Sequence, residues 1–241
     1  MASTSITVEE TAERGLLLAR ADDALVLGHR LSEWTGRAPL LEEELALANV
    51  ALDLIGQARA LYQATGLDED ALAYRRDASG FRNALIMELP NGDFAVTMAR
   101  LFLVSTATDL YWRAAVADEL LGPIAARAEK ETAYHVRHAA EWLVRLGDGT
   151  AESHRRAQDA LDLLWPYTGE LFEPAPLGPD PAALRPAWEA AVAPVIARAT
   201  LRRPADGWMQ SGGRSGRHTE HLGHMLAEMQ VLPRTYPDAR W

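Results

Sequence analysis

The stretch Leu45-Ala46-Leu47-Ala48-Asn49-Val50-Ala51-Leu52-Asp53-Leu54-Ile55-Gly56-Gln57-Ala58-Arg59 decides the fold class of this chain. Leucine and alanine favour helices, and here they place apolar side chains on nearly every side of a helix. Asn49, Asp53 and Gln57 are spaced four residues apart, so they form one polar stripe. The pattern predicts a helix over residues 42–65 that is buried on nearly all sides and whose polar stripe needs partners.

The whole chain has a similar composition. Its 241 residues include 43 Ala and 34 Leu but only 16 Val and Ile together, which predicts an all-α protein. Periodicity and turn signals predict further helices, with Asp93 as the N-cap of the third one along the chain. These helices cover residues 7–34, 94–121, 123–146, 150–172, 181–201 and 218–234. Long helices joined by mostly short loops predict a helical bundle with additional helices, in a single domain over residues 1–241.

A second polar stripe lies on the helix predicted over residues 123–146. Its members are Glu131, Tyr134, His135, His138 and Trp142. Carboxylates and histidines that project inward from paired helices are the ligands of di-iron carboxylate bundles, which need Glu-x-x-His on two of four helices. No acidic residue in this sequence has a histidine three positions later. The architecture of a di-iron bundle is therefore predicted without its ligand set.

The degenerate ligand positions are recognisable one by one. Tyr134 follows Glu131 where a histidine is needed, and Gly56 does the same after Asp53. The third helix offers Ser105, with Thr108 and Asp109 beside it. The six degenerate positions are Asp53, Gly56, Ser105, Glu131, Tyr134 and His135. We expect no catalytic residue and no bound metal here, only a satisfied buried polar network. A metal site of unusual composition, using Asp53, Glu131, His135 and His138, is the open alternative.

Histidines also cluster at the start of the last predicted helix. His221, His224 and Glu228 share one helical surface, with His218 just before them. Three such ligands suffice for a zinc site, but the spacing matches no standard zinc motif. We interpret the cluster as a polar helix start with surface or interface histidines.

Charge and missing residue types exclude several functions. A net charge of −10 argues against general nucleic-acid binding. The single lysine, Lys130, excludes a Walker A loop, and the absence of cysteine excludes disulfides and thiolate chemistry. No apolar run is long enough to span a membrane and no signal peptide is recognisable, so we expect a cytoplasmic protein without membrane contact.

The cations are almost all arginine and form two local groups. One contains Arg75, Arg76 and Arg82, and the other contains Arg202, Arg203, Arg214 and Arg217 around a pair of glycines. Guanidinium groups suit phosphates and carboxylates, so either group is a candidate for a phosphate-bearing ligand or an acidic partner. Solvated loop charge is the alternative interpretation.

Four segments, residues 23–36, 45–59, 90–94 and 212–230, resemble the C subunits of bacterial ring 1,2-phenylacetyl-CoA epoxidases. They occur in order over nearly the whole chain. The resemblance implies a ferritin-like fold and a non-catalytic partner for a homologous A subunit, which carries the di-iron centre. With a reductase and small components, that complex epoxidises the aromatic ring of phenylacetyl-CoA during phenylacetate breakdown.

The resemblance also directs attention to the CoA part of that substrate. Candidate contacts are Phe81, which is suited to stack on adenine, and Arg82, Asn83, Arg214 and Arg217. The loop over residues 173–180 is short for the family, which weakens any expected ligand contact from it. Two rivals from other classes are a free-standing metalloprotein using the open site above and a helical adaptor unrelated to oxygenases.

Overall fold

The computed structural model describes residues 5–9, 11–237 and 239. Within them the chain forms nine α-helices and no β-strand, which confirms the all-α class. The helices are α1 Ala12–Ser32, α2 Leu41–Ala64, α3 Glu69–Tyr74, α4 Leu85–Glu88, α5 Phe94–Ala115, α6 Gly122–Gly147, α7 Ala151–Leu164, α8 Pro181–Arg198 and α9 Glu220–Thr235. In the described part, no helix is both long and apolar enough to cross a bilayer.

Four long helices form the body of the fold. α1, α2, α5 and α6 contain 21, 24, 22 and 26 residues, whereas α7 and α8 are shorter than predicted, with 14 and 18 residues. α1 packs along α2, α5 packs along α6, and contacts between α2 and α6 join the two pairs. α7 and α8 pack on α5. The result is the predicted ferritin-like four-helix bundle with additional helices.

Local sequence fixes where several helices begin. Asp93 caps α5 as predicted, because its carboxylate accepts a hydrogen bond of 3.0 Å from the backbone N–H of Val96. Thr150 and Ser153 form a reciprocal capping box at the start of α7. Such caps satisfy backbone donors that have no partner inside the helix.

Three predicted boundaries were wrong. α1 begins at residue 12 rather than 7, where Thr11 caps it. α5 ends at Ala115 rather than at residue 121, because the Asp118 carboxylate accepts hydrogen bonds from two following backbone N–H groups and forms a turn. α7 ends at Leu164, and two short 3₁₀ turns replace the predicted end of the helix. Pro166, which has no backbone N–H, lies in the first of these turns.

Gly28 allows α1 and α2 to approach closely. A Cβ atom at this position would lie 3.2 Å from the carbonyl oxygen of Ala51 and from side-chain atoms of Leu54 and Ile55. A side chain here would require these neighbours to shift by a few tenths of an ångström. The glycine therefore fits the close contact between α1 and α2.

A buried ion pair fastens α1 to the segment after α3. The carboxylate of Asp22 and the guanidinium of Arg76 are both fully buried, and Arg76 Nη1 donates to Asp22 Oδ2 at 3.0 Å. The Tyr62 hydroxyl of α2 also donates to Asp22. Burial alone would lower the pKa of Arg76, but the charge of Asp22 outweighs it and raises that pKa. The group therefore stays charged inside the core.

Candidate functional site

Polar side chains meet where α2 faces α6, and we call this surface the seam. Its members are Glu43, Asp53 and Gln57 from α2 and Glu131, His135 and His138 from α6. The structure therefore brings together the two polar stripes that the sequence placed on separate helices. Asn49, the first residue of the predicted α2 stripe, is exposed instead.

His135 and Asp53 form the central pair of the seam. Nε2 of His135 lies 3.0 Å from Oδ2 of Asp53, and the imidazole is fully buried while the carboxylate is about one-third exposed. Burial lowers the pKa of His135, although Asp53 opposes that effect. A neutral His135 therefore donates from Nε2 to Asp53. Its Nδ1 atom is buried without a hydrogen-bond partner among the described residues.

Both carboxylate oxygens of Glu131 are occupied. Gln57 Nε2 donates to Oε2 at 2.9 Å, and Arg127 Nε donates to Oε1 at 2.7 Å. The amide and the guanidinium thus hold Glu131 in a hydrogen-bonded network. The sequence predicted a satisfied network for both stripes; Glu131 fits that prediction, but His135 Nδ1, His138 Nε2 and Glu43 Oε2 have no hydrogen-bond partner among the described residues.

The remaining seam pair joins His138 and Glu43. Nε2 of His138 lies 3.2 Å from Oε2 of Glu43, and the ring of Tyr134 stacks on the imidazole with 5.9 Å between centroids. Tyr134 itself is partly exposed. It therefore covers His138 from the solvent side.

The degenerate positions do not assemble into a metal centre in the described residues. No group of three or more His, Asp or Glu side chains there is placed to hold a metal ion. Ser105 is buried on α5, and Gly56 contributes no side chain. The donor set does not fit a di-iron centre, which takes carboxylates from four helices and histidines from two of them.

One expectation for α2 was wrong: the helix is not buried on nearly all sides. Leu41, Leu45, Leu52 and Ile55 are 69%, 58%, 66% and 39% exposed. With 100° between residues they lie within an arc of about 80°, which we call the outer face of α2. This chain covers only the opposite side of α2, where Leu47 and Val50 are fully buried.

Two of the five candidate CoA contacts have their side chains in the interior. Phe81 is fully buried beneath the guanidinium of Arg76, 4.3 Å from the ring centroid. Asn83 is also fully buried and donates to Oε2 of Glu88 at 2.9 Å. In this conformation both side chains hold the core and do not reach a surface ligand.

The other three candidates are arginines at or near the surface. Arg82 and Arg214 line a cleft of about 400 Å³ beside the first turns of α1. Arg217 is exposed and is not among the residues that line this cleft. Sequence reasoning missed two further cleft residues, Arg20 and Tyr111, because each is isolated in the sequence from the arginine groups.

The histidines near α9 separate in the structure. His218 is buried, and its Nδ1 atom lies 2.7 Å from Oε2 of Glu88. His224 and Glu228 are exposed. The expectation of surface histidines is therefore wrong for His218, which contacts α4, and it holds for His224.

Comparisons with known proteins identify the family to which this chain is similar. A family model described as "Phenylacetic acid catabolic protein" matches residues 2–241. The chain is 44% identical over 245 residues to the C subunit of the 1,2-phenylacetyl-CoA epoxidase of Escherichia coli (strain K12). That alignment covers 93% of this chain and 97% of the E. coli protein. The resemblance recognised in the sequence is confirmed by this match.

Proposed function

This chain belongs to the phenylacetic acid catabolic protein family, and on that premise we propose that it is a non-catalytic structural subunit of a multicomponent di-iron oxygenase. The complex epoxidises the aromatic ring of phenylacetyl-CoA in phenylacetate catabolism, in the cytoplasm. The E. coli relative is named as one subunit of an epoxidase, which supports an assembly of several chains. In our proposal the partner is the catalytic A subunit, which carries the di-iron centre, together with the other components.

The exposed outer face of α2 is the main observation that supports this proposal. Four large apolar side chains on one face of a 24-residue helix remain in contact with water in this chain. Contiguous exposed apolar surface marks protein–protein interfaces, and permanent interfaces resemble a core divided in two. A partner helix laid along Leu41, Leu45, Leu52 and Ile55 would complete such a core.

The seam supports the non-catalytic part of the proposal. Asp53 is engaged by His135, and Glu131 is engaged by Gln57 and Arg127. These bonds occupy the carboxylates that an iron centre would require. The seam instead stabilises the contact between α2 and α6 beside the outer face.

Co-expression with the A subunit tests the docking proposal. The double variant L45E/L52E places two carboxylates on the outer face without touching the buried side of α2. We expect it to fold like wild type but to lose co-purification with the A subunit, since burying two charges costs several kcal/mol. Native mass and the yield of the complex are the measurements.

Leu163 on α7 provides the matched control, because it is a leucine of similar exposure, 55%, outside the outer face of α2. The variant L163E should assemble normally. Wild-type chains that fail to associate with the A subunit would overturn the proposal. Full assembly by L45E/L52E would show that the docking surface lies elsewhere and remove its main support.

A further inference from the structure

Two guanidinium groups share a single carboxylate at the wall of the cleft beside α1. We call it the arginine cleft; Arg20 of α1, Arg82 and Arg214 contribute to its wall. Both Arg20 and Arg214 pair with Asp23. Glu173 also lines the cleft, and the charges of Glu170 and Glu173 act on Arg214 as well, so Arg20 is the more weakly paired of the two cations.

Asp23 is saturated by partners other than Arg20. Arg214 donates from Nη1 to Oδ1 at 2.9 Å and from Nη2 to Oδ2 at 2.7 Å, a bidentate pair. The backbone N–H of Ala84 donates to Oδ1 as well, at 2.8 Å. Arg20 reaches the same carboxylate only at 3.8 Å, which is an ion pair without a hydrogen bond.

Arg20 is therefore a poorly paired cation in a buried place. Its side chain is only 14% exposed, and among the described residues its Nε atom has no hydrogen-bond partner. Burial and the positive charge of Arg214 lower the pKa of Arg20. A buried charge without a full set of partners is costly, so its retention calls for a ligand.

Tyr111 supplies a second unpaired group at the same wall. Its side chain is 2% exposed, and its hydroxyl has no partner among the described residues. The guanidinium of Arg20 lies over its ring, 4.6 Å from the centroid. The Tyr111 hydroxyl and Nε of Arg20 are thus two buried donors without a partner among the described residues, and both side chains contribute to the lining of the cleft.

We propose that the arginine cleft is a phosphate-binding site, in which Arg20, Arg82 and Arg214 hold the anion and the Tyr111 hydroxyl donates to it. Guanidinium groups from separate segments match a dianion with several acceptor oxygens better than a single carboxylate. Arg82 and Arg214 are already anchored by backbone carbonyl groups, of Ser79 and Ala19 respectively, so little ordering is needed on binding.

The rest of the cleft suits an organic group attached to the phosphate. Ala12, Gly15 and Ala19 form a wall of small side chains, and Pro174 and Pro176 add apolar surface. A Cβ atom at Gly15 would have no atom within 4 Å, so this wall has open space before it. A volume of about 400 Å³ falls in the range of small-molecule sites.

Calorimetric titration of the full chain with inorganic phosphate and with coenzyme A, which carries three phosphates, tests the proposal. The variant R20Q removes the poorly paired cation, and we expect it to weaken binding about tenfold without lowering the unfolding temperature of the free chain. G15L, which adds a side chain at the cleft wall, should weaken binding of coenzyme A. R198Q, at the far end of α8 from the cleft, is the matched control.

The two probes distinguish the source of the phosphate. Tight binding of coenzyme A that phosphate displaces supports an organic ligand, and binding of phosphate alone supports a site for the free ion. No binding of either probe to wild type would overturn the proposal, as would binding that R20Q leaves within twofold of wild type. Neither result depends on the A subunit, so these measurements test the phosphate site independently of the docking proposal.

Discussion

At the scale of single residues, Asp22 and Arg76 form an ion pair that is fully buried in the core. Asp22→Ala leaves a buried guanidinium without its carboxylate, and we expect the free energy of unfolding to fall by about 3–5 kcal/mol. Urea denaturation measures this loss. Asp159→Ala is the comparison, because Asp159 pairs with Arg155 in solvent and should cost less than about 1 kcal/mol. Equal losses in the two variants would contradict the interpretation.

His135 makes stability depend on pH in a definite direction. Burial lowers the pKa of His135 below its ordinary value of 6.5, so the unfolded chain binds a proton at a higher pH than the folded chain does. Protonation therefore favours unfolding, and the contribution of this residue is lost as the pH falls below about 6.5. His135→Gln should reduce the drop in unfolding free energy between about pH 7 and about pH 5.5.

His224→Gln serves as the control for this pH effect, because His224 is exposed. The slope of stability against pH should stay at the wild-type value in that variant. A His135→Gln variant with an unchanged slope would show that other groups cause the pH dependence.

Residue-level prediction from the sequence succeeded where helical spacing carried the information. The intervals between Asp53 and Gln57, and between Glu131 and His135, placed these side chains on facing stripes that the structure joins. Spacing within one helix says nothing of partners far along the chain. Arg20 and Tyr111 come from α1 and α5, and only the packed bundle brings them together.

At the scale of elements, α2 has two apolar faces, of which one is buried in this chain and the other is exposed. Leu47 is fully buried and Leu45 is 58% exposed, although only two positions separate them. We expect Leu47→Ala to cost about 2–5 kcal/mol of unfolding free energy through a cavity, and Leu45→Ala to stay within about 0.5 kcal/mol of wild type. Chemical denaturation of the isolated chain compares the two. Similar losses would mean that the outer face is covered within this chain.

The two faces also explain the wrong expectation for α2. Periodicity identifies apolar faces, but it does not say whether the same chain or another chain covers them. The prediction of helix ends was limited for a different reason. The end of α5 depends on the side chain of Asp118, and the capped start at Asp93 was predictable because its signal is local.

At the scale of the whole molecule, the location of iron separates the proposed subunit from a metalloprotein that acts alone. We expect the isolated chain, expressed with ample iron, to carry far less than one iron atom per chain, because the carboxylates of Asp53 and Glu131 already have hydrogen-bond partners. The complex with the A subunit should contain iron. Elemental analysis of both preparations measures the difference.

The variant Asp53→Ala sharpens the iron measurement. It removes a seam carboxylate, so the iron content of the complex should stay at the wild-type level if the metal belongs to the A subunit. A loss of iron from this variant would place metal in the seam.

That the chain folds as a single domain over its 241 residues stays a prediction.

The outer face of α2 also has a consequence for the life of this chain in the cell. A newly made copy displays four uncovered apolar side chains on this face. Exposed apolar surface is what chaperones and quality-control proteases recognise, and it promotes aggregation at high concentration. In the proposed assembly, the supply of the A subunit would therefore limit how many copies of this chain survive, and balanced synthesis of the two chains would be required.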